Sequence, residues 1–341
     1  VIGSLFANRY RVTGLLGSGR NEVWRAHDTH QNQEVALKTF KPGAQTIHVY
    51  GEATVLTALR GEHVLEVFNA DTFEDIPYIA TRIAELGSAE AFIRSNPLGL
   101  PPDVVVSWVR QALVGLGACH DRRLVHRDIK PDNIFLDTPE FALLGDFGLV
   151  YQLGPDGTAP AEGSPFTIAP EMWATGQGTI ASDIYSMGVT AYRLLTGCWP
   201  YEADTREELA SVVIAGRYLR LRAIAPHVSR RLADRIEKAM DVRADVRYRS
   251  WREMHEDLGR SGVVTHVWRR DSHDPGHDRC WIQIQRAGRR HRVCVVATAS
   301  GQFDIDVRHA DGARQRVTAR CRSGIGPKRL AVELRRVFDA L

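Results

Sequence analysis

His126-Arg127-Asp128-Ile129-Lys130-Pro131-Asp132-Asn133 is the stretch on which the reading of this 341-residue chain turns. It gathers carboxylates, two cations and an amide into eight residues. Asp146-Phe147-Gly148 begins thirteen residues after Asn133, and Ala169-Pro170-Glu171 follows further on. A short motif gains weight only from ordered partners on both sides, and here it has them.

Composition sets the outer limits. At 44% hydrophobic and 25% charged residues the sequence is that of an ordinary globular protein. Its length suits a domain of about 250 residues plus a small extra one. No apolar run approaches the roughly 20 residues of a membrane helix, and no signal peptide opens the chain. A cytoplasmic protein without membrane contact is expected. Cys119, Cys198, Cys280, Cys294 and Cys321 form no CxxC pair, and an odd, scattered set suits a reducing compartment. Basic residues are 5 Lys against 39 Arg, so each lysine is a rare choice, and a compact ammonium does work that a rigid guanidinium fork does not. From Gly262 onward 16 Lys+Arg face 8 Asp+Glu, a net of +8, whereas the residues before it carry 28 against 33, a net of −5. Two domains with different surfaces are expected.

The ordered motifs resemble the eukaryotic-type protein kinases, in their bacterial-like serine/threonine branch, over about residues 8–260. The resemblance implies an α+β, two-lobed fold: a β-rich N-lobe over 1–84 and a helical C-lobe over 85–261. It also implies ATP and Mg²⁺, with Mn²⁺ as an alternative cation. Asp128 would orient the incoming hydroxyl, Asn133 and Asp146 would hold the metal, and Lys130 would neutralise phosphate oxygens. Lys130, two residues after Asp128, is the serine/threonine pattern.

The same resemblance assigns the nucleotide site. Tyr10 to Ala26 reads as two strands joined by a glycine turn containing Gly17 and Gly19. The loop is one residue short and lacks the third glycine of the family. Glu34-Val35-Ala36-Leu37-Lys38 would be the strand whose lysine grips the phosphates. Glu52, on a helical run from Val49 to Leu59, would hold that lysine. Val23, Ala36, Thr81 and Ala84 would line the adenine pocket, with the backbone of Arg82 to Ala84 meeting the adenine edge.

The remaining motifs are supports and switches. Ser164, after Gly163, resembles the hydroxyl that contacts the catalytic aspartate and lysine. Arg127 would pair with a phosphate on Thr158, added in trans by another copy, with Asp156 and Glu162 as competing permanent anions. Asp183 would hold the catalytic-loop backbone, and Arg247 would bury a salt bridge with Glu171. The function implied is a serine/threonine protein kinase acting on proteins and on itself. The alternatives are a nucleotide-binding pseudokinase scaffold, or a kinase acting on nucleic acid or nucleic-acid-bound protein.

Residues 262–278 read as a linker or first strand, and 279–341 as a basic ββββα-like domain. Its strands are expected around Cys280–Gln285, Arg292–Thr298, Phe303–Val307 and Arg316–Cys321, before a helix ending at Leu341. Arg286, Arg289, Arg290 and Arg292 cluster near one turn and would dock an acidic protein or a nucleic acid. His277-x-x-Cys280 and His291-x-x-Cys294 have zinc-like spacing. On a regular strand, however, His291 and Cys294 point to opposite faces, so a four-ligand site is not expected.

Overall fold

The structure, a computed structural model, describes residues 2–18, 21–41, 59–260, 267–271, 274–284, 290–311 and 315–341. Six strands open it: β1 (Leu5–Phe6), β2 (Tyr10–Ser18), β3 (Glu22–Asp28), β4 (Gln33–Thr39), β5 (Val67–Phe73) and β6 (Ile76–Thr81). They form one antiparallel sheet in the order β1-β2-β3-β4-β6-β5. Strand periodicity sorts their side chains between two faces. Val35 and Leu37 of β4 are buried with Tyr10, Ala26, Tyr78 and Ala80. Ala36 and Lys38 alternate with them and face the other way. Lys38 is paired across the sheet with Val23 and Ile79, and Ala36 with Thr81. Gly19, Glu52 and the expected helix from Val49 to 58 lie outside the described residues.

The C-lobe is helical. It contains α1 (Ala89–Ser95), α2 (Pro102–His120), α3 (Pro170–Thr175), α4 (Ile180–Thr196), α5 (Arg206–Ile214), α6 (Leu221–Ile224), α7 (Arg230–Ala239) and α8 (Trp251–Gly259). Short strands punctuate it: β7 (Leu124–Val125), β8 (Ile134–Thr138), β9 (Phe141–Leu144), β10 (Tyr151–Gln152), β11 (Ala159–Pro160) and β12 (Gln177–Gly178). Helix α4 is its axis. A capping box between Thr179 and Ser182 starts it, and Gly197 in the left-handed region ends it. Between these caps it is buried on nearly every side, as a helix at the centre of a core must be. Among the described residues no helix is long and apolar enough to cross a membrane.

The last unit is a five-stranded antiparallel sheet, β13 (Val267–Arg270), β14 (Arg279–Ile284), β15 (His291–Ala297), β16 (Phe303–His309) and β17 (Arg322–Ile325), in sequential order. Helix α9 (Pro327–Asp339) covers one face with Leu330, Leu334, Val337 and Phe338 against Trp268, Trp281, Val293 and Val307. Of the two readings of 262–278, the structure has the first strand over Val267–Arg270, with Trp268 buried in the core. One expectation is corrected. The alternating run Arg316–Cys321 is not the last strand. Val317 donates to the Val307 carbonyl at 2.7 Å and Thr318–Arg320 then turn as a 3-10 helix, so pairing resumes only at Arg322.

This sheet is joined to the C-lobe by a buried contact. Trp281 Nε1 donates to His227 Nδ1 at 3.1 Å, and the His227 ring also meets Phe338. Asp339 at the end of α9 pairs with Arg222 of α6 at 2.6 Å. Burial, and secondarily the Arg270 guanidinium, push the His227 pKa down to about 3. The imidazole is therefore neutral when folded and its Nδ1 accepts; protonation would set N–H against N–H. An unfolded histidine titrates near pH 6.5, so this contribution to stability is complete above that pH. It falls away as pH drops towards 3, by up to about 1.4 kcal/mol per pH unit. Thermal unfolding between pH 7 and 5 should show a falling Tm in the wild type and a flatter profile in His227→Gln. Parallel profiles would remove His227 as the source.

Candidate active site

The loop between β7 and β8 holds its residues in place through a buried carboxylate. Asp183, near the start of α4, accepts the His126 N–H at 2.8 Å and the Arg127 N–H at 2.9 Å. The other contact to its carboxylate is His120 Nε2 at 2.8 Å. Burial alone would raise the Asp183 pKa, but the hydrogen bond and charge of His120 keep it below the usual carboxylate range. These bonds keep Arg127 at φ +65°, an uncommon conformation for a residue other than glycine. His120 is a member of this support that no sequence motif marks.

Asp128 then projects into a closed polar network. Lys130 Nζ lies 2.7 Å from Asp128 Oδ2 and 2.8 Å from Ser164 Oγ. Ser164 donates to Asp128 Oδ1 through its hydroxyl at 2.7 Å and its backbone N–H at 3.1 Å. That approach requires the glycine before it. Gly163 has φ +136°, and a Cβ there would lie 2.2 Å from the Arg127 carbonyl oxygen. Asn133 Nδ2 donates to the Asp128 backbone carbonyl at 2.7 Å and to Oδ2 at 3.0 Å. The Asn133 nitrogen is thus committed, and its carbonyl oxygen is left as a ligand.

Asp146 follows β9 at φ +55°. Its Oδ1 accepts from Lys38 Nζ at 2.7 Å, an ion pair between the two lobes. Burial pushes the Asp146 carboxyl up, yet the Lys38 ammonium outweighs it and holds the group ionised. Its Oδ2 remains for a cation. Two hard oxygens, from Asn133 and Asp146, suit Mg²⁺, which prefers one or two protein ligands and completes its shell from phosphates and water. Buried His126 braces this side, with Nε2 3.2 Å from the Gly145 carbonyl and its ring against Phe147.

Val23, Ala36 and Lys38 share one sheet face with Thr81, at the end of β6. The Thr81 hydroxyl donates to the Arg82 carbonyl at 3.2 Å, and the Arg82 N–H to Glu66 at 2.9 Å. The Ala84 carbonyl accepts from Gly87 at 3.0 Å. The C-lobe brace is also complete: Arg247 meets both oxygens of Glu171, at 2.8 and 2.7 Å.

Thr158 and Arg127 are not brought together. The Thr158 hydroxyl bonds to Asp156, 3.0 Å from each carboxylate oxygen. Arg127 donates to the carbonyls of Leu149 and Pro160 and pairs with Glu162 at 3.6 Å. A permanent carboxylate occupies the side of Arg127 where a phosphate was expected. Accordingly, Thr158→Ala should leave the transfer rate unchanged. Glu162→Gln should lower it by about two- to fivefold, the worth of a half-exposed ion pair. Autophosphorylation rates with phosphosite mass spectrometry check this; an inactive Thr158→Ala, with phosphate on wild-type Thr158, would restore the phosphate reading.

Comparison with known proteins gives the same direction. A sequence model described as the protein kinase domain matches residues 10–256. The chain is 31% identical over 236 residues to serine/threonine-protein kinase PknL of Mycobacterium tuberculosis, covering 66% of this chain and 57% of that one. It is 30% identical to PknD of the same organism over 250 residues, covering 70% and 36%. A probable serine/threonine-protein kinase of Clostridium perfringens, CPE1738, is 27% identical over 272 residues, covering 76% and 39%. The chain therefore spans from about a third to somewhat over half of these relatives' length.

Proposed function

Because this chain belongs to the protein kinase family, we propose that it transfers the γ-phosphoryl group of ATP, with Mg²⁺ (or Mn²⁺), to serine or threonine hydroxyls of proteins, itself included. The observation that carries this reading is the arrangement around Asp128: a carboxylate fixed by Lys130, Ser164 and Asn133, beside two uncommitted oxygens of Asn133 and Asp146. Asp128 orients the incoming hydroxyl and accepts its proton. Lys130 stabilises charge next to it, and Lys38 anchors the phosphates from the opposite lobe. Asn133 and Asp146 would hold the cation, which neutralises the developing charge on phosphate oxygens. The Ala84 N–H is the backbone donor for an adenine edge. These are effects of position and electrostatics rather than of covalent chemistry.

A scaffold without turnover draws support only from the short glycine loop, and the full set of charged catalytic residues argues against it. The basic terminal domain keeps its net charge of +8 as the reason to propose a docking role towards an acidic protein, or a nucleic acid. The expected basic cluster is partly spent, however. Arg290 pairs with Asp311 at 2.5 Å and Arg292 with Asp271 at 2.7 Å, while Arg286 and Arg289 lie outside the described residues. The decisive assay is incubation of the intact chain with radiolabelled ATP and Mg²⁺, alone and with a mixture of proteins or RNA. Label on Ser or Thr of protein supports the reading. No label, or label only on RNA, rejects it.

A further inference from the structure

The two cysteines at the centre of the C-terminal sheet are not part of its core. Trp281, Val293 and Val295, their neighbours along β14 and β15, face α9 and form that core. Cys280 and Cys294 alternate with them and so point from the opposite face. Each is nevertheless only 4% exposed. They are direct cross-strand partners. The Cys280 carbonyl accepts the Asp271 N–H on the β13 side at 3.0 Å. Its backbone groups therefore face β13, and Cys280–Cys294 is a non-hydrogen-bonded pair, the kind whose side chains converge most closely.

A third side chain reaches the same point. The turn Asp274-Pro275-Gly276-His277, closed by the His277 N–H on the Asp274 carbonyl at 3.2 Å, brings His277 Nδ1 to 3.3 Å from Cys280 Sγ. One donor atom each from His277, Cys280 and Cys294 lie within 4.8 Å of one another. Tetrahedral zinc, with Zn–S of about 2.3 Å and Zn–N of about 2.0 Å, asks for donors roughly 3.5–3.8 Å apart. Behind the imidazole, Nε2 lies 3.5 Å from Asp274 Oδ2. A carboxylate on the far nitrogen is the usual companion of a metal-bound histidine, because it fixes the tautomer that turns the other lone pair to the metal.

We propose that His277, Cys280 and Cys294 bind a zinc-class divalent metal ion that fastens the 274–278 turn to the outer face of the C-terminal sheet. Two thiolates and an imidazole are a soft-to-borderline set, suited to zinc rather than magnesium or calcium. The fourth position falls to water or another donor. Binding expels the thiol protons to solvent, so affinity drops as the pH is lowered. His291 has no part in the site. Its Nδ1 meets Gln283 Oε1 at 2.9 Å and its ring lies against His309.

The test uses the full chain, purified under reducing conditions, with Zn²⁺ and Co²⁺ as probes. Elemental analysis should find one zinc per chain after dialysis, and the Co²⁺ form should show thiolate-to-metal charge-transfer absorption. Cys280→Ser and Cys294→Ser should weaken that absorption and the affinity measured against a chromophoric chelator. Asp274→Asn, on an exposed turn where folding is not at stake, should weaken zinc binding by about 10–100-fold. His277→Ala should do at least as much, while His291→Ala should leave binding unchanged. The proposal is overturned if the wild type retains no zinc, or if His277→Ala and Asp274→Asn bind as tightly as it does. A Cys280–Cys294 disulfide in place of the metal would overturn it equally.

Discussion

Asp128→Ala is expected to lower the rate of phosphoryl transfer by about 10²–10⁴-fold, the usual worth of a positioned general base. The KM for ATP should change little, because Asp128 faces Lys130 and Ser164 rather than the nucleotide lysine. Asp146→Ala should differ in kind. It removes a proposed metal ligand and the partner of Lys38 together, so both kcat and the Mg²⁺ requirement should suffer. Steady-state rates across ATP and Mg²⁺ concentrations separate the two. If either variant autophosphorylates within tenfold of the wild type, the roles given to these aspartates are wrong.

Arg247→Ala should produce the largest loss of stability, about 3–5 kcal/mol, because breaking a buried ion pair strands the remaining charge. The Arg247 side chain is fully buried. Besides Glu171 it serves three carbonyls, those of Asp241, Val242 and Ala181, at 2.7, 3.2 and 2.9 Å, and it lies over the Tyr185 ring. Glu171 shows the linkage. Burial raises its pKa, but Arg247 more than reverses this, so its contribution is present above the ordinary carboxylate range and is lost as pH falls below it. Denaturant unfolding of Arg247→Ala at neutral pH measures the loss. Arg247→Lys should recover only part, since an ammonium cannot span both oxygens. A change under about 1 kcal/mol would class the pair with ordinary surface bridges.

How much of this was legible depended on whether chemistry or tertiary contact chose the residue. That Asp128, Lys130 and Asn133 would meet was legible from their ordered motif, and Lys38 and Asp146 do pair. The faces of β4 followed from simple alternation. His120 was not, since its task is set by an aspartate 63 residues away that only the folded chain brings near. The run Arg316–Cys321 has a strand's alternation, but hydrogen bonds to β16 bend it into a turn before Arg322. Strand parity rightly separated His291 from Cys294; what it could not give was the register that sets Cys280 opposite Cys294.

The socket formed by His227, Trp281 and Phe338 changes what the end of the kinase homology means. Aromatic side chains of this kind bury roughly 150–250 Å² each, and here Trp281 and Phe338 both meet His227, in the loop between α6 and α7 of the C-lobe. The kinase homology ends near residue 256, and these contacts cross that boundary. Melting the sheet would expose Trp281 and uncover the buried His227 imidazole, so each unit is expected to raise the other's melting point. Calorimetry would then record the C-lobe and the terminal sheet as one transition, the C-lobe drawing part of its rigidity from a sheet that lies beyond its family's boundary.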